Sequence, residues 1–360
     1  MLRTLLRMAA ESPAKRLKTS GSGPLIGTHN GHFHADEALA VFMLKTLPTY
    51  NPSSLLRTRD PALLAECHTV VDVGGEYHPA QNRYDHHQRT FTTTFPTRPT
   101  KLSSAGLVYL HFGKPIIALQ TGLDEGSEEV DILWKKIYED FIEALDAHDN
   151  GISAYDPEET KNIKKRFYDG GIGLGSLVGD LNQNFDDEGG MTPEQAQESE
   201  DARFLAASSF MGTTFLRKLR YYHRAWLPAR TLVRQTYDVR KNYDEKGRIM
   251  VFEKSGPWKD HLYTIEGEHP DEEKVLFVLY PESEHEGSKW RIQAVSVSKD
   301  SFENRLGLPA AWRGVRDDQL SEVAGTDGCI FAHSSGFIGG NKTREGALSM
   351  ARKTIEMAGT

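Results

Sequence analysis

From Pro24 onward, short apolar runs and helical periodicity alternate along the chain, and this alternation constrains the fold more than any other feature. "LIGTH" reads as a strand, "DEALAVFMLKTL" as a helix, "LLRTR" as a strand, "PALLAECH" as a helix opened by Pro61, and "TVVDVGG" and "RYDHH" as further strands. Strands separated by helices of this length pair in parallel and are covered on their faces by the helices, so the expected class is α/β with a parallel sheet. "SSAGLVYLHFG" predicts a helix capped near Ser103 or Ser104, and "SEEVDILWKKIYEDFIEALDAHDNG" a long helix capped at Ser127 and ending before Gly151. After a loop region rich in Gly and Asp, Thr192, Pro193 and Gln195 supply an N-cap, a first-turn proline and a capping-box partner for a helix running toward Trp226. "RIMVFEK", "KVLFVLYP" and "RIQAVSVS" are β-rich, and "GCIFAHSSGFIGGNKTREGALSMARKTIEMA" predicts a strand, a glycine turn and a final helix. The expected organisation is a targeting segment over 1–23, a metal-binding α/β domain over 24–190, a linking helix over 191–228 and a smaller α+β domain over 229–360.

At 360 residues the chain is long enough for two domains, and no apolar run approaches the roughly 18 residues of a membrane span. The formal charge of -8 requires any nucleic-acid contact to come from a local basic surface. Only two cysteines occur, Cys67 and Cys329, each inside an apolar stretch, which predicts buried thiols in a reducing compartment. At the N-terminus, Arg3 and Arg7 lie among leucines with no acid before Glu11, the basic amphipathic pattern of a mitochondrial transit peptide. "PAKRLK" follows, and its cluster reads equally as a nuclear-import signal or a solvated tail. The expected location is divided between mitochondrion and nucleus.

The titratable residues are concentrated at predicted strand ends. "GTHNGHFHADE" follows the first strand, Asp72 follows the apolar run "TVV", and Asp85, His86 and His87 end another; five of the 14 histidines fall in two of these windows. If the extended geometry of the first strand continues through His34, then His32, His34 and Asp36 face one side, because side chains alternate with period two. The carboxyl ends of parallel strands are where open α/β sheets bind ligands. Imidazoles and carboxylates without cysteine suit manganese, iron or zinc rather than a structural zinc site. Two such ions about 3.5 to 4 Å apart can clamp a phosphoryl group and generate hydroxide at neutral pH, which points to phosphoester hydrolysis.

The order His-x-x-x-Asp, a strand-ending Asp, then Asp-His-His resembles the DHH phosphoesterase superfamily. More specifically, "GTHNGHFHADEALAVFMLK", "VVDVGGEYHPAQNRYDHHQ", "EALDAHDNGI" and "FAHSSGFIGGNKTREGALSMA" are similar to the Myg exonuclease family, over the chain from about Gly27 to its end. The resemblance implies a DHH-type catalytic domain in which His32 and Asp36 hold one metal and Asp72 bridges. His86 and a later acid, Asp149 ahead of Asp146, hold the other, while His87 faces the phosphate and Asp85 orients its neighbours. One departure stands out: where the superfamily carries a second acid, two residues after the first, this chain has Ala38, so that either His34 or Glu37 stands in or the second ion binds weakly, with His34 favoured by strand periodicity. The implied cofactor is a pair of Mn2+ ions, with Mg2+ as the alternative.

The C-terminal motif places His333 after a strand, with Gly339, Gly340 and Lys342 ahead of a helix starting near Thr343. Free N-H groups at such a turn suit an anion, and the resemblance implies that these residues grip the substrate in a cleft between the domains. Two basic stretches, "LRKLRYYHRAW" and "KNIKKR", offer a path for a single strand, although the first also describes an ordinary amphipathic helix. The expected activity is a 3′-to-5′ exoribonuclease on single-stranded RNA. Its rivals are a phosphoesterase of dinucleotides or pyrophosphate and a noncatalytic, metal-stabilised RNA-binding scaffold.

Overall fold

The computed structural model describes residues 23–182 and 190–359; the expected targeting segment, apart from Gly23, lies outside them. The chain divides into two compact units, one through Tyr222 and one from His223. No helix among the described residues is long and apolar enough to cross a membrane.

In the first unit the expected alternation is realised: β1 (Ile26–Thr28), α1 (Ala35–Thr46), β2 (Leu55–Arg57), α2 (Pro61–Ala65), β3 (Thr69–Val71), β4 (Tyr77–His78) and β5 (Arg83–Tyr84). The strand order is β2-β1-β3-β5-β4, parallel except for the β4 edge, which pairs antiparallel with β5. Then come α3 (Ser104–Thr121), α4 (Glu128–Ile137), a π-helical turn, α5 (Glu143–Asp149), the short α6 (Pro157–Thr160) and α7 (Leu174–Gly179), and α8 (Pro193–Tyr221). Helix α8 begins with the capping box anticipated at Thr192 and Gln195 and packs on α1, where Gly212 leaves room for the Phe42 ring.

Register decides what the sheet presents. Gly27 pairs with Val70 and Val71 with Tyr84, so continuing each strand past its end sets His29, Asp72 and Asp85 side by side at the carboxyl edge. Short strands suffice because the site needs three adjacent ends rather than a long sheet.

The second unit is α+β: α9 (Leu227–Asp238), β6 (Ile249–Val251), α10 (Lys259–Glu268), β7 (Phe277–Pro281), β8 (Trp290–Ala294), α11 (Asp317–Ala324), β9 (Cys329–Ala332), β10 (Ile338–Asn341) and α12 (Arg344–Met357). Its sheet runs β6-β7-β8-β10-β9, parallel only between β6 and β7. One face buries Ile292, Ala294 and Leu279 with α11 and α12, and Met250, Phe252 and Val278 pack with α9 and α10.

Candidate metal centre

Strand β1 ends at Thr28, not at His34, and this changes which histidine enters the site. The chain bends at Gly31, whose φ of 86° suits glycine, and α1 begins at Ala35. Gly31 is clamped on both sides: its N-H donates to Glu200 Oε1 at 2.7 Å, and its carbonyl accepts from Arg57 at 2.9 Å. The alternation that would align His32 with His34 and Asp36 is therefore broken. His32 is exposed and belongs to no ligand group among the described residues, whereas His29 is buried beside Asp72. Sequence reasoning missed His29; the signal available was that it is the first histidine after the apolar run.

His29 Nε2 lies 3.2 Å from Glu37 Oε1 and 3.3 Å from Asp72 Oδ2. Its Nδ1 is 3.2 Å from both the Asn30 carbonyl and Arg59 Nη2, so that Nε2 is the nitrogen turned toward the two carboxylates. Burial lowers the imidazole's affinity for a proton, but Asp72 and Glu37 outweigh this and lift its pKa to about 10.

Asp72 closes β3 in a left-handed conformation with φ 57°, the kind of uncommon backbone that clusters at functional sites. Its carboxylate stands between His29 and His86, with Oδ1 3.2 Å from His86 Nε2 and accepting from Ser104 Oγ at 2.8 Å. Burial pushes it up, and the two imidazoles and the Ser104 hydroxyl outweigh burial and hold it well below the carboxylate range.

His86 Nε2 is also 3.0 Å from Asp149 Oδ2, yet neither carboxylate oxygen is aligned for a hydrogen bond and this buried nitrogen has no partner. The Asn150 amide fixes the ring. Its Nδ2 donates to the carbonyls of Lys101 and Asp146, which turns Oδ1 toward His86 Nδ1 at 3.3 Å. Nδ1 must then carry the proton, so that Nε2 faces Asp72 and Asp149 with its lone pair. In the absence of a cation, burial lowers the His86 pKa while Asp149 and Asp72 raise it, to about 10.

Asp85 and His87 form a separate pair. Asp85 Oδ2 accepts from Gly75 N-H at 2.6 Å, and Oδ1 accepts from the His87 N-H at 3.1 Å and lies 2.6 Å from His87 Nδ1. That bond raises the His87 pKa, and the exposed ring lines the pocket.

Of the two candidate later acids, Asp149 joins the cluster, grouped with His34 and Asp36. Asp146 instead is fully buried and accepts from Ser103 N-H and Oγ, Gly106 N-H and Tyr138 OH, holding the first turn of α3. Asp36 and Glu37 enter from the first turn of α1, and Glu37 Oε1 accepts from the His34 N-H at 2.7 Å. Ala38, the position of the missing acid, is fully buried in the helix.

Three overlapping groups result: His29, His34, Glu37 and Asp72; Asp72, Asp85, His86 and His87; and His34, Asp36 and Asp149. Within each, the ligand atoms lie within 4.8 Å of one another. Three buried atoms of these groups lack hydrogen-bond partners: Asp36 Oδ1, Glu37 Oε2 and His86 Nε2. Buried acceptors left bare are costly unless something positive fills the gap, and burial together with repulsion from Asp72, Asp149 and Glu37 raises Asp36 well above its ordinary pKa. The donor set, nitrogen and oxygen with no sulfur, fits divalent metal ions. It opens onto a cavity of about 620 Å³ lined by Arg59, His87, His148, Tyr168 and Ser176, all in the first unit.

In the second unit the expected glycine turn is a strand. Gly339 and Gly340 lie in β10, hydrogen-bonded between β8 and β9, so their N-H groups serve the sheet rather than an anion. Gly340 is small because Arg291 crosses it, with Nη1 2.3 Å from where a Cβ would sit. Lys342 is exposed, and the first turn of α12 is capped by Thr343, whose hydroxyl accepts from Gly346 N-H at 3.0 Å. His333 is exposed in the β9–β10 hairpin, its Nδ1 accepting from Ser335 N-H and its ring meeting Phe337 edge-on. In the other basic stretch, Tyr222 is buried and donates to Asp140, the behaviour of an amphipathic helix.

A family model named for MYG1 exonucleases, and described as an uncharacterised protein family, matches residues 25–355. The mouse protein named MYG1 exonuclease is 45% identical over 359 residues, 98% of this chain and 90% of its own length. The human MYG1 exonuclease is 45% identical over 95% of this chain and 89% of its length, and the Dictyostelium discoideum MYG1 protein 43% identical over 92% and 97%. No solved structure matches.

Proposed function

The chain belongs to the MYG1 exonuclease family, and on that premise we propose that it is a metal-dependent exonuclease that hydrolyses RNA phosphodiester bonds in the 3′-to-5′ direction. The observation that carries the hydrolytic reading is the convergence of Asp36, Glu37 and His86, each with an unpartnered buried atom, on the strand-end carboxylate Asp72.

His29, His34, Glu37 and Asp72 would hold one divalent ion, and Asp36, His86 and Asp149, with Asp72, would hold a second. His34-x-Asp36 then occupies the place of the superfamily's Asp-x-Asp, and no ligand is missing at Ala38. Bound there, divalent ions, manganese in preference to magnesium, would supply a nucleophile at neutral pH and neutralise phosphoryl charge. His87 holds a proton, oriented by Asp85, for the leaving oxygen. Arg59, the one Lys or Arg lining the cavity among the described residues, meets the phosphate. The enzyme acts in mitochondria and nucleus.

With both imidazoles protonated up to about pH 10 when no metal is bound, metal binding displaces protons. Manganese affinity, followed by calorimetry, is expected to climb with pH up to about 10, by about tenfold per pH unit for each ion, since each displaces one histidine proton. The stability of the metal-free protein runs the other way. The raised histidine pKa values stabilise it fully below pH 6.5 and are lost as pH passes through about 10. An affinity flat with pH would exclude His29 and His86 as ligands.

The reaction is tested by incubating 5′-labelled single-stranded RNA with the protein and manganese, with EDTA as control. A ladder shortening from the 3′ end is expected. Cleavage of dinucleotides alone would favour the small-molecule reading, and binding without cleavage in any metal the scaffold.

A further inference from the structure

Between α5 and α7 the first unit carries a strap whose side chains are turned outward. Tyr155, Ile163, Phe167, Tyr168 and Ile172 are each at least 71% exposed, an unusual density of bare apolar surface for one short segment. The same segment holds Lys161, Lys164, Lys165 and Arg166 within six residues, in a chain of net charge -8. Lys161 pairs with Glu158 and Lys165 with Asp169, while Lys164 and Arg166 have no ion-pair partner among the described residues.

The strap is continuous with the metal pocket. Tyr168 and Gly170 line the cavity, and so does Gly175, against which the His148 imidazole rests so closely that a Cβ there would lie 2.7 Å from Cε1. The Tyr168 ring lies against Gly170 and Gly171, where a Cβ on Gly170 would sit 2.7 Å from its hydroxyl. One side of the ring is thus supported by backbone, and the residue is still 84% exposed.

We propose that this strap is a rail for single-stranded nucleic acid leading into the metal pocket, with a base stacked on Tyr168 and backbone phosphates taken by Lys164 and Arg166. Rings with an open face and cations without acidic partners are the two components of sequence-tolerant strand binding; here the ring lines the cavity and the cations lie two and four residues before it in the chain. The inference rests on the nucleic-acid reading of the site and names the surface that delivers the strand to it.

The test is fluorescence anisotropy of the full chain with a labelled single-stranded oligoribonucleotide of roughly 12 nucleotides, in EDTA so that nothing is cut. Tyr168→Ala is expected to weaken binding about 10-fold, from the usual worth of one stacked base, and Tyr168→Phe to restore it. The double variant Lys164→Gln/Arg166→Gln lowers the slope of log affinity against log salt by about 1.4, two lost phosphate contacts. Unchanged affinity and slope overturn the rail, and so does a wild type that binds no oligonucleotide. If binding is unchanged while Tyr168→Ala abolishes self-association in light scattering, the exposed rings serve a contact between copies instead. A wild type that binds with these dependences but cuts nothing in manganese leaves the rail standing and removes the hydrolytic reading.

Discussion

Replacing His29 with alanine is expected to lower manganese-dependent hydrolysis roughly a thousandfold, because metal-ion charge stabilisation is worth several kcal/mol and each 1.36 kcal/mol is tenfold in rate. His32→Ala is expected to cost less than about tenfold, because His32 lines the cavity but belongs to no ligand group among the described residues. The contrast follows from register: Gly27 opposite Val70 places His29 opposite Asp72, and the bend at Gly31 takes His32 out to solvent. His29 Nε2 sits 3.3 Å from the shared carboxylate, so its loss removes a ligand and leaves Asp72 and Glu37 facing each other without the imidazole between them. Initial rates across a manganese titration, with bound metal counted after desalting and the metal-free melting temperature as a folding control, separate these effects. Equal losses in the two variants, or a loss confined to His32→Ala, would return the site to the alternating pattern the sequence suggests.

How far the sequence carries depends on whether the deciding contact is local. Asp72, Asp85, His86 and His87 were legible because a strand end is marked by a short apolar run followed by polar groups, and parallel pairing brings such ends together. Asp149 was legible for a similar reason, since Gly151, with φ 67°, marks where its helix stops. His29 was not. Choosing between histidines three residues apart requires knowing that Gly31 is held by Arg57 and Glu200, and Glu200 lies 169 residues away. Gly339 and Gly340 misled in the same way. Two glycines ahead of a helix look like a turn, but they are strand residues, Gly339 packed against the Phe331 carbonyl and Leu308 and Gly340 under Arg291 and the Phe331 ring. The tautomer of His86 depends on Asn150, Lys101 and Asp146 together, an arrangement that only the folded chain brings into being.

Gly106→Ala is expected to destabilise the first unit by on the order of 4 kcal/mol and to abolish activity, although Gly106 touches no proposed ligand. A Cβ there would lie 2.3 and 2.5 Å from the two Asp146 carboxylate oxygens. Asp146 is fully buried, and its four donors, Ser103 N-H and Oγ, Gly106 N-H and Tyr138 OH, have no other acceptor offered if it moves. The turn it holds carries Ser104, whose hydroxyl donates to Asp72 and whose N-H donates to Asp36, so displacing Asp146 loosens both carboxylates. Asp146→Asn is the control, since Oδ1 can keep three donors and the amide can donate to Tyr138. Burial raises the Asp146 pKa to about 7, so the wild type loses stability as pH rises from 3.8 to about 7 and the asparagine variant lacks that loss. Urea unfolding, reading the transition of the first unit, should therefore show a large deficit for Gly106→Ala at every pH and a deficit for Asp146→Asn that shrinks toward pH 7. A Gly106→Ala protein that unfolds with the wild type would mean that the carboxylate can leave its pocket cheaply, and that α3 holds Ser104 against the metal site without it.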